Sequence, residues 1–297
     1  MDQAEKLRQI VQDLKQKRNA RETRKARIIT VTSGKGGVGK TSFSINCGIA
    51  LNNMGYRVLI IDADFGLANI DVMLGIMPEY SLFHVIDGKK SIEDVITDGP
   101  CGIKFISGGS GIWELINLSS HELETIIRQF EGLDNIADII LIDTGAGVSE
   151  KILRMVLASN EVIIVTTPEP TAITDAYALV KSSLAMNRNV AFRLVVNRAE
   201  NRQEAKIIMD NFVRVSAKFL NTKIDPLGYI LYDDLIVKST KQQKPFIIEH
   251  PKSHAAKQLN DIAYVLTSTS FESNSSKHSG IKGYIFHMMN FLRTRKI

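Results

Sequence analysis

The fold of this chain is decided by one stretch of its sequence, Ser33-Gly34-Lys35-Gly36-Gly37-Val38-Gly39-Lys40-Thr41. The apolar, β-branched run from Ile28 to Val31 comes just before it and predicts a buried strand. The segment from Phe43 to Met54 follows it and predicts a helix. A glycine-rich loop between a strand and a helix is the context in which the pattern G-x-x-x-x-G-K-T predicts a phosphate-binding loop.

The residue types of this loop supply the chemistry that phosphates require. Gly36, Gly37 and Gly39 allow the backbone to curl, so that its N–H groups point inward toward an anion. The N-terminus of the following helix adds the positive end of its dipole. Lys40 can reach the outer phosphates of a nucleotide, and the Thr41 hydroxyl can bind Mg²⁺. The alternative is a glycine-rich turn that binds nothing, and the complete motif in the right context disfavours it.

Three aspartates follow predicted apolar strands. Asp62 and Asp64 lie at the end of a strand that begins at Val58, and Asp143 ends another that begins at Ile139. Ligands of open α/β sheets bind at the carboxyl ends of the strands, so we expect these carboxylates near the metal and the attacking water. Taken singly, each aspartate is more often a helix cap or a turn residue. Beside a complete phosphate loop, the set favours a nucleotide-hydrolysing site.

Strands and helices alternate along the rest of the chain. Further strands are predicted at 103–107, 162–166, 192–197 and 228–231, and helices at 122–130, 150–157, 172–186, 202–219 and 254–266. Apolar strands that alternate with helices predict an α/β fold, with a doubly wound, mostly parallel sheet and helices on both faces. We assign this fold to one domain, residues 28–266.

Composition and charge narrow the class of protein. A hydrophobic fraction of 44% and a charged fraction of 23% are typical of a soluble globular protein. Cys47 and Cys101 lack metal-ligand spacing and predict reduced cysteines in a cytosolic protein. No apolar run approaches the ~20 residues of a membrane span. The basic residues are concentrated at both ends of the chain, which favours an anionic partner surface.

The loop from Gly34 to Thr41, with its second lysine at position 35, resembles the deviant phosphate loop of the MinD/ParA class of ATPases. The resemblance implies that Lys35 reaches across an ATP-bound homodimer to the partner's phosphates, although a solvated surface lysine is the alternative. It implies that Lys40 is catalytic as well, and that Asp64 positions the attacking water. The implied Mg²⁺ residues are Thr41, Asp62 and Asp143.

The same resemblance implies which residues contact the nucleotide. Asn197, at the end of a predicted strand, matches the base-recognising asparagine of the class, and Asp233 matches a later aspartate near the base. Leu231 stands where many members have proline, which leaves the choice between ATP and GTP open. The implied ATP/ADP-binding set is Gly34, Lys35, Gly36, Gly37, Val38, Gly39, Lys40, Thr41, Ser42, Asn197, Arg198 and Asp233.

Residues 1–27 predict a polar helix and linker ahead of the ATPase domain. Leu7, Ile10, Val11 and Leu14 form a narrow apolar stripe that needs a partner surface, with a solvated tail or a helix packed on its own body as alternatives. The first residues resemble the D-Q-A-x-x-L-R start of the FlhG family, MinD-like ATPases that control flagellar number. The resemblance implies that the body binds flagellar switch-ring (C-ring) proteins. It also implies that the GTPase FlhF is bound and activated through Asp2, Gln3, Ala4, Leu7 and Arg8.

The C-terminal end predicts a membrane-targeting segment. Residues 267–280 form a Ser-rich sequence that predicts a flexible linker, and residues 281–297 predict a basic amphipathic helix. Such a helix fits an in-plane position on an anionic membrane surface, and the alternative is a helix docked on the body. The long linker favours the membrane. The expected membrane-facing residues are Ile281, Tyr284, Ile285, Met288, Phe291 and Leu292.

Together these patterns predict an FlhG-type switch that binds ATP, forms a homodimer, hydrolyses ATP slowly, and moves between the cytoplasm and the inner face of the cell membrane. A MinD-type regulator of the cell-division site is an alternative. So is a ParA-like DNA-partitioning ATPase, although DNA is not the expected partner here. An iron–sulfur carrier would need a C-x-x-C pair, which Cys47 and Cys101 do not supply. A metabolic ligase would need a small-molecule pocket, which sequence patterns alone do not exclude.

Overall fold

One eight-stranded sheet organises the part of the chain that the computed structural model describes, residues 25–64, 69–108, 120–159, 161–187, 190–268 and 280–293. The strands are β1 (Arg27–Ser33), β2 (Val58–Ala63), β3 (Ile96–Asp98), β4 (Lys104–Ile106), β5 (Ile139–Ala146), β6 (Glu161–Thr166), β7 (Ala191–Ala199) and β8 (Ile224–Leu231). The α-helices in these ranges are α1 (Lys40–Asn53), α2 (Ile70–Leu74), α3 (Leu82–Ile86), α4 (Ser120–Glu131), α5 (Leu133–Ile136), α6 (Glu150–Ala158), α7 (Pro170–Met186), α8 (Arg202–Leu220), α9 (Asp234–Lys241), α10 (Phe246–Glu249), α11 (His254–Ser268) and α12 (Gly280–Arg293).

The strand order confirms the predicted sheet. From one edge to the other it is β3-β4-β2-β5-β1-β6-β7-β8, and every neighbouring pair is parallel except β3 and β4. The antiparallel edge strand β3 was not predicted, because a strand of three residues is too short to show a period. The short helices α2, α3, α5, α9 and α10 were missed for the same reason.

Both faces of the sheet are covered by helices, as predicted. Ile29 and Val31 of β1 belong to an apolar cluster with residues of α1 and α11. Their neighbour Ile28 points to the other face and packs against a cluster that includes residues of α4, α5 and α12. A third cluster joins α6, α7 and α8 to β6 and β7. Strands with apolar side chains on both faces explain the near-continuous apolar runs in the sequence.

The register of the central strands brings the predicted site residues together. Asp62 of β2 lies opposite Asp143 of β5, and Asp143 lies opposite Val31 of β1 on its other side. The phosphate loop leaves β1 directly beyond this point and enters α1. The loop and the two carboxylates therefore share the carboxyl edge of the sheet, where open α/β sheets bind their ligands.

A buried ionic network lies at the opposite edge of the sheet, where the parallel strands begin. The carboxylate of Glu161 on β6 is paired with the guanidinium of Arg27 at 2.7 Å and with that of Arg193 on β7 at 2.6 Å. Arg27 also donates from Nη1 to the carbonyl oxygen of Leu266 at 2.8 Å. The buried charge of Glu161 is thus compensated by two cations, and the start of β1 is tied to the last turn of α11.

The C-terminal helix differs from our prediction of an exposed membrane helix. α12 is helical as expected, but it packs against α4, α6 and β1. Ile281, Tyr284, Ile285 and Met288, four of the residues expected to face the membrane, are no more than 4% exposed. The docked alternative describes this structure, because the same apolar stripe fits a groove in the body. The side chains of Phe291 and Leu292 lie outside the described residues.

Other predicted segments lie outside the residues that the structure describes. Residues 1–24, with most of the N-terminal helix, are outside the described ranges, and so are residues 269–279 of the linker. Within those ranges the domain begins at Arg27 and its last helix before the linker ends at Ser268, close to the predicted limits of 28 and 266. No described helix is both long enough and apolar enough to cross a membrane.

Candidate functional site

The phosphate loop adopts a conformation that depends on glycine. Gly37 and Gly39 have φ angles of 76° and 90°, in the left-handed region where other residues are strained. A Cβ atom at Gly39 would lie 2.5 Å from Nδ2 of Asn197. A Cβ atom at Gly34 would overlap the backbone of Asp175 in α7. The loop is therefore built as a close-fitting cradle rather than as an ordinary turn.

Lys40 and Thr41 begin α1 and face a buried carboxylate. The Thr41 hydroxyl donates to Oδ2 of Asp143 at 2.7 Å, and Ser44, one turn later, donates to Oδ1 at 2.8 Å. The ammonium of Lys40 lies 4.0 Å from the same Oδ1 atom. Burial raises the pKa of Asp143, while Lys40 and the two hydroxyls oppose the rise. Ser44 was missed by the sequence reasoning, although its position four residues after Lys40 was a signal for it.

Asp62 contacts the backbone of the loop that follows β2, and its predicted role as a metal residue stays a prediction. Its carboxylate is fully buried and accepts hydrogen bonds from the backbone N–H groups of Asp64 at 3.0 Å, Asn69 at 2.8 Å and Ile70 at 3.1 Å. Burial raises the pKa of Asp62 to about 6, against the lowering effect of these three donors. In this form Asp62 holds the loop that follows β2, and spacing in the sequence could not show that its side chain turns toward the backbone.

Asp64 is the carboxylate of this pair that reaches the cavity. It lines the cavity beside the phosphate loop, and Nδ2 of Asn69 donates to its Oδ2 atom at 3.1 Å. A Cβ atom at Gly145 would lie 3.2 Å from its Oδ1 atom. The ends of β2 and β5 therefore meet at Asp64, which fits the predicted position near attacking water. Residues 65–68 of the same loop lie outside the described residues.

Lys35 is held on its own subunit in this structure. Its ammonium pairs with the Glu169 carboxylate at 2.7 Å and donates to the Thr171 hydroxyl at 2.9 Å. Both partners lie at the start of α7, and the ion pair lowers the pKa of Glu169. The lysine is therefore oriented by a specific contact, unlike a lysine that is only solvated. That Lys35 contacts the phosphates bound to a partner subunit stays a prediction.

A cavity of about 490 Å³ extends from the phosphate loop to the end of β8. Its phosphate side includes Gly36, Gly37, Val38, Gly39, Lys40, Thr41 and Ser42, and its far side includes Asn197, Arg198, Leu231, Tyr232, Asp233, Ile236 and Val237. The volume lies within the usual range of small-molecule sites. The structure thus collects at one cavity most of the residues predicted to bind the nucleotide, although Gly34 and Lys35 do not line it.

Contacts within the chain already fix the side of the cavity that includes Asn197 and Asp233. Asn197 donates from Nδ2 to the carbonyl of Val38 at 2.7 Å and accepts at Oδ1 from the backbone N–H of Arg198. Arg198 adopts φ 60°, which is unusual for a residue with a side chain. Asp233 accepts at Oδ1 from the N–H of Leu235 and so caps α9. Tyr232, which the sequence reasoning missed, is an exposed aromatic residue in the cavity wall.

The cysteines occupy separate environments. Cys47 is buried in α1, and this burial raises the pKa of its thiol to about 12. Cys101 is exposed, in the turn between β3 and β4. Across the described ranges, no cluster of three or more His, Cys, Asp and Glu residues could hold a metal ion. The predicted FlhF-contacting residues Asp2, Gln3, Ala4, Leu7 and Arg8 lie outside those ranges.

Comparison with known proteins gives consistent matches over most of the chain. A family model named ParA and described as an NUBPL iron-transfer P-loop NTPase matches residues 24–267. The antiactivator FleN of Pseudomonas aeruginosa is 35% identical over 251 residues, which cover 84% of this chain and 90% of that protein. The flagellum site-determining protein YlxH of Helicobacter pylori is 31% identical over 269 residues, which cover 90% of each.

Solved structures show the same architecture. The septum site-determining protein MinD of Pyrococcus horikoshii, solved in complex with Mg-ADP, aligns with a TM-score of 0.64 at 25% identity. The alignment covers 81% of this chain and 96% of that one. The sheet order and the phosphate loop described above therefore belong to an architecture that binds a magnesium nucleotide in at least one relative.

Proposed function

The chain belongs to the ParA/MinD family of P-loop ATPases, and from that premise we propose that it is an ATP-driven switch that controls flagellum number and placement. Members of this family hydrolyse ATP, and one similar relative, YlxH of Helicobacter pylori, is named as a flagellum site-determining protein. The observation that carries the ATP-binding part is the glycine cradle at the mouth of a cavity, with Lys40, Thr41 and Asp64 around it, and the flagellar part rests on the similar relatives.

The residues of the site fit a nucleotide with Mg²⁺. Gly37 and Gly39 hold the cradle at positive φ, and a Cβ atom at Gly39 would collide with Nδ2 of Asn197. The ammonium of Lys40 is buried beside the cradle, where it can offset phosphate charge. Thr41, supported by Asp143, would hold Mg²⁺. When bound, Mg²⁺ neutralises charge on the outer phosphates.

Dimerisation with ATP is the next part of the proposal. Lys35 sits at the rim of the site on an exposed ion pair with Glu169, and exposed pairs of this kind are weak. The partner's γ-phosphate can therefore compete with Glu169 for the lysine when two copies face each other. Asp64, on the loop after β2, would hold the attacking water. Slow hydrolysis then ends the dimeric state.

Membrane binding requires α12 to leave its groove, because its apolar face is already used. The helix is held in part by exposed contacts, which include an ion pair between Lys282 and Glu131. Its basic residues suit an anionic membrane surface. Two helices on one dimer bind much more tightly than one, so dimerisation would favour the membrane-bound state. The proposed cycle therefore moves the protein between the cytoplasm and the inner face of the membrane.

We expect a chain ending at residue 276 to lose ATP-dependent binding to anionic liposomes. The full chain should sediment with phosphatidylglycerol-containing liposomes more strongly with ATP than with ADP, because the dimer presents two helices. The truncated chain should still bind ATP, since no described residue of α12 lines the nucleotide cavity. Co-sedimentation and nucleotide titration of both chains provide the measurements.

Removal of α12 also uncovers an apolar groove, so the truncated chain needs a control without liposomes. Sedimentation under that condition would report aggregation rather than membrane binding. A neutral phosphatidylcholine liposome provides the second control, because the electrostatic part of binding depends on anionic lipid. Undiminished, ATP-dependent binding of the truncated chain to anionic liposomes would contradict the proposed membrane role of the helix.

The N-terminal segment offers a test that separates a flagellar role from a MinD-type division role. A peptide of residues 1–20 should raise the GTP turnover of FlhF without the ATPase domain. A short helix with one apolar stripe is marginal alone in water, so it would order on its partner. Gln3 and Arg8 would then act at the GTP site, where polar and charged groups stabilise phosphoryl transfer. Initial rates of GTP hydrolysis measure the effect.

Matched peptides make this result specific. Gln3→Ala and Arg8→Ala should stimulate less than the wild-type peptide, whereas Glu5→Ala should have the smallest effect. FlhF must first be shown to be dimeric and loaded with GTP. If the wild-type peptide then leaves turnover unchanged, the FlhF-activating role is wrong and a MinD-type role gains support.

A further inference from the structure

Two segments of the chain meet at one carboxylate. Asp134, the second residue of α5, accepts hydrogen bonds at Oδ1 from the backbone N–H of Ala26 and from that of Ile281, both at 3.2 Å. Ala26 comes directly before β1, and Ile281 is the second residue of α12. The root of the N-terminal segment and the first turn of the C-terminal helix therefore share a single acceptor atom.

The same two places also share an apolar cluster. Ala26 is 4% exposed, and it belongs to the cluster that contains Ile281, Tyr284, Ile285 and Met288 of α12. α12 also packs against β1. Departure of α12 would remove much of this apolar cover and would admit water to Asp134. Water then competes for the carboxylate that holds the Ala26 amide.

Arg27, the next residue, is anchored without α12. Its backbone N–H donates to the carbonyl of Asp138 at 2.9 Å. Its guanidinium binds Glu161 on β6 and the carbonyl of Leu266 in α11. None of these partners lies on α12. The loss of order that follows release of α12 should therefore stop between Ala26 and Arg27.

We propose that docked α12 holds Ala26, the last residue before β1, in place, and that release of α12 loosens the chain at Ala26 but not at Arg27. The inference rests on the proposed function, in which α12 moves to the membrane and residues 1–14 engage a GTPase. The position of α12 is then coupled to the entry of the ATPase domain: the form that binds the membrane is also the form in which Ala26 is loosened.

Hydrogen–deuterium exchange at single-amide resolution tests the coupling in the full-length protein. Ile285→Asp places a charge in the buried face of α12, about one helical turn beyond Ile281, and should release the helix. We expect faster exchange across residues 281–289 and roughly fivefold faster exchange at the Ala26 amide. Exchange at the Arg27 amide should not change.

A second variant perturbs the start of the helix together with the shared carboxylate of Asp134. Gly280 has φ 78°, and a Cβ atom there would lie 2.5 Å from Oδ2 of Asp134, so Gly280→Ala should also loosen α12. Gly88→Ala is the matched control, because Gly88 has φ 71° and nothing within 4 Å of an added Cβ atom. The control should leave exchange at Ala26 and at residues 281–289 as in the wild type.

Faster exchange in α12 with an unchanged Ala26 amide would overturn the coupling. An equal rise at Ala26 and Arg27 would also overturn it, since this would show general loosening of β1. The measurement uses neither liposomes nor a GTPase, so its outcome is independent of whether the protein binds membranes or stimulates FlhF. If the liposome and FlhF tests fail but exchange rises together in α12 and at Ala26, the coupling stands and the protein has another role.

Discussion

Lys40→Ala is expected to abolish nucleotide binding, with a loss in affinity of roughly a hundredfold or more. The ammonium of Lys40 is buried at the start of α1 beside the glycine cradle, 4.0 Å from Asp143. Its loss removes a charge-assisted contact to the outer phosphates and leaves the buried Asp143 carboxylate without its cation, and each effect costs about 1.5–3 kcal/mol. Titration with a fluorescent ATP analogue and Mg²⁺ measures the change.

Lys35→Ala is the matched control for this prediction. It removes a lysine from the same loop, but Lys35 is exposed and paired with Glu169 rather than buried at the cradle. This variant should bind nucleotide as the wild-type monomer does and should fail only in steps that need the dimer. Thermal unfolding without nucleotide tests whether Lys40→Ala remains folded. Wild-type affinity in a folded Lys40→Ala protein would show that the phosphate loop is not the binding site.

Asp64→Ala is expected to bind ATP, to hydrolyse it about a hundredfold or more slowly, and to accumulate as a dimer. Asp64 lines the cavity on the loop that follows β2, outside the glycine cradle. A group that positions water or moves its proton typically contributes 10²–10⁴-fold to a rate, while it contributes little to binding of the nucleotide. Single-turnover hydrolysis and size-exclusion chromatography with ATP provide the two measurements.

Asp71→Ala is a suitable control for the loss of an acidic side chain nearby. Asp71 lies in α2 and accepts a hydrogen bond from the N–H of Val72, and it does not line the cavity. It should hydrolyse ATP and dimerise as the wild type does. If Asp64→Ala turns over ATP normally and stays monomeric with ATP, Asp64 has no role in hydrolysis and the assignment made from its position fails.

The nucleotide cavity could be predicted from the sequence because local residue types specify each of its parts. The glycines require a loop with positive φ, Lys40 and Thr41 follow at a constant spacing, and apolar strands lead to Asp64 and Asp143. Parallel strands bring such residues to one edge without any further information. Of the residues that were missed, Asn69 and Glu169 act through side-chain directions that sequence patterns do not encode, whereas Ser44 had its spacing from Lys40 as a signal.

The docked position of α12 could not be predicted from the sequence. An amphipathic stripe records that one face of a helix avoids water, but it does not record whether lipid or protein covers that face. The groove on the body is formed by residues distant in sequence, such as Ile126 and Met155, whose arrangement depends on the complete fold. Asp62 is a second example, because its spacing from Asp64 does not show that its carboxylate accepts hydrogen bonds from three backbone N–H groups.

The bond between Arg27 and the Leu266 carbonyl has a practical consequence for engineering. It places the entry and the exit of the ATPase domain side by side, at the edge of the sheet opposite the phosphate loop. A seven-residue strand separates this edge from the loop by about 20 Å. Fluorescent proteins or affinity tags joined at this edge would sit a strand's length from the phosphate loop. A circular permutant that links residue 268 to residue 25 would need only a short connector.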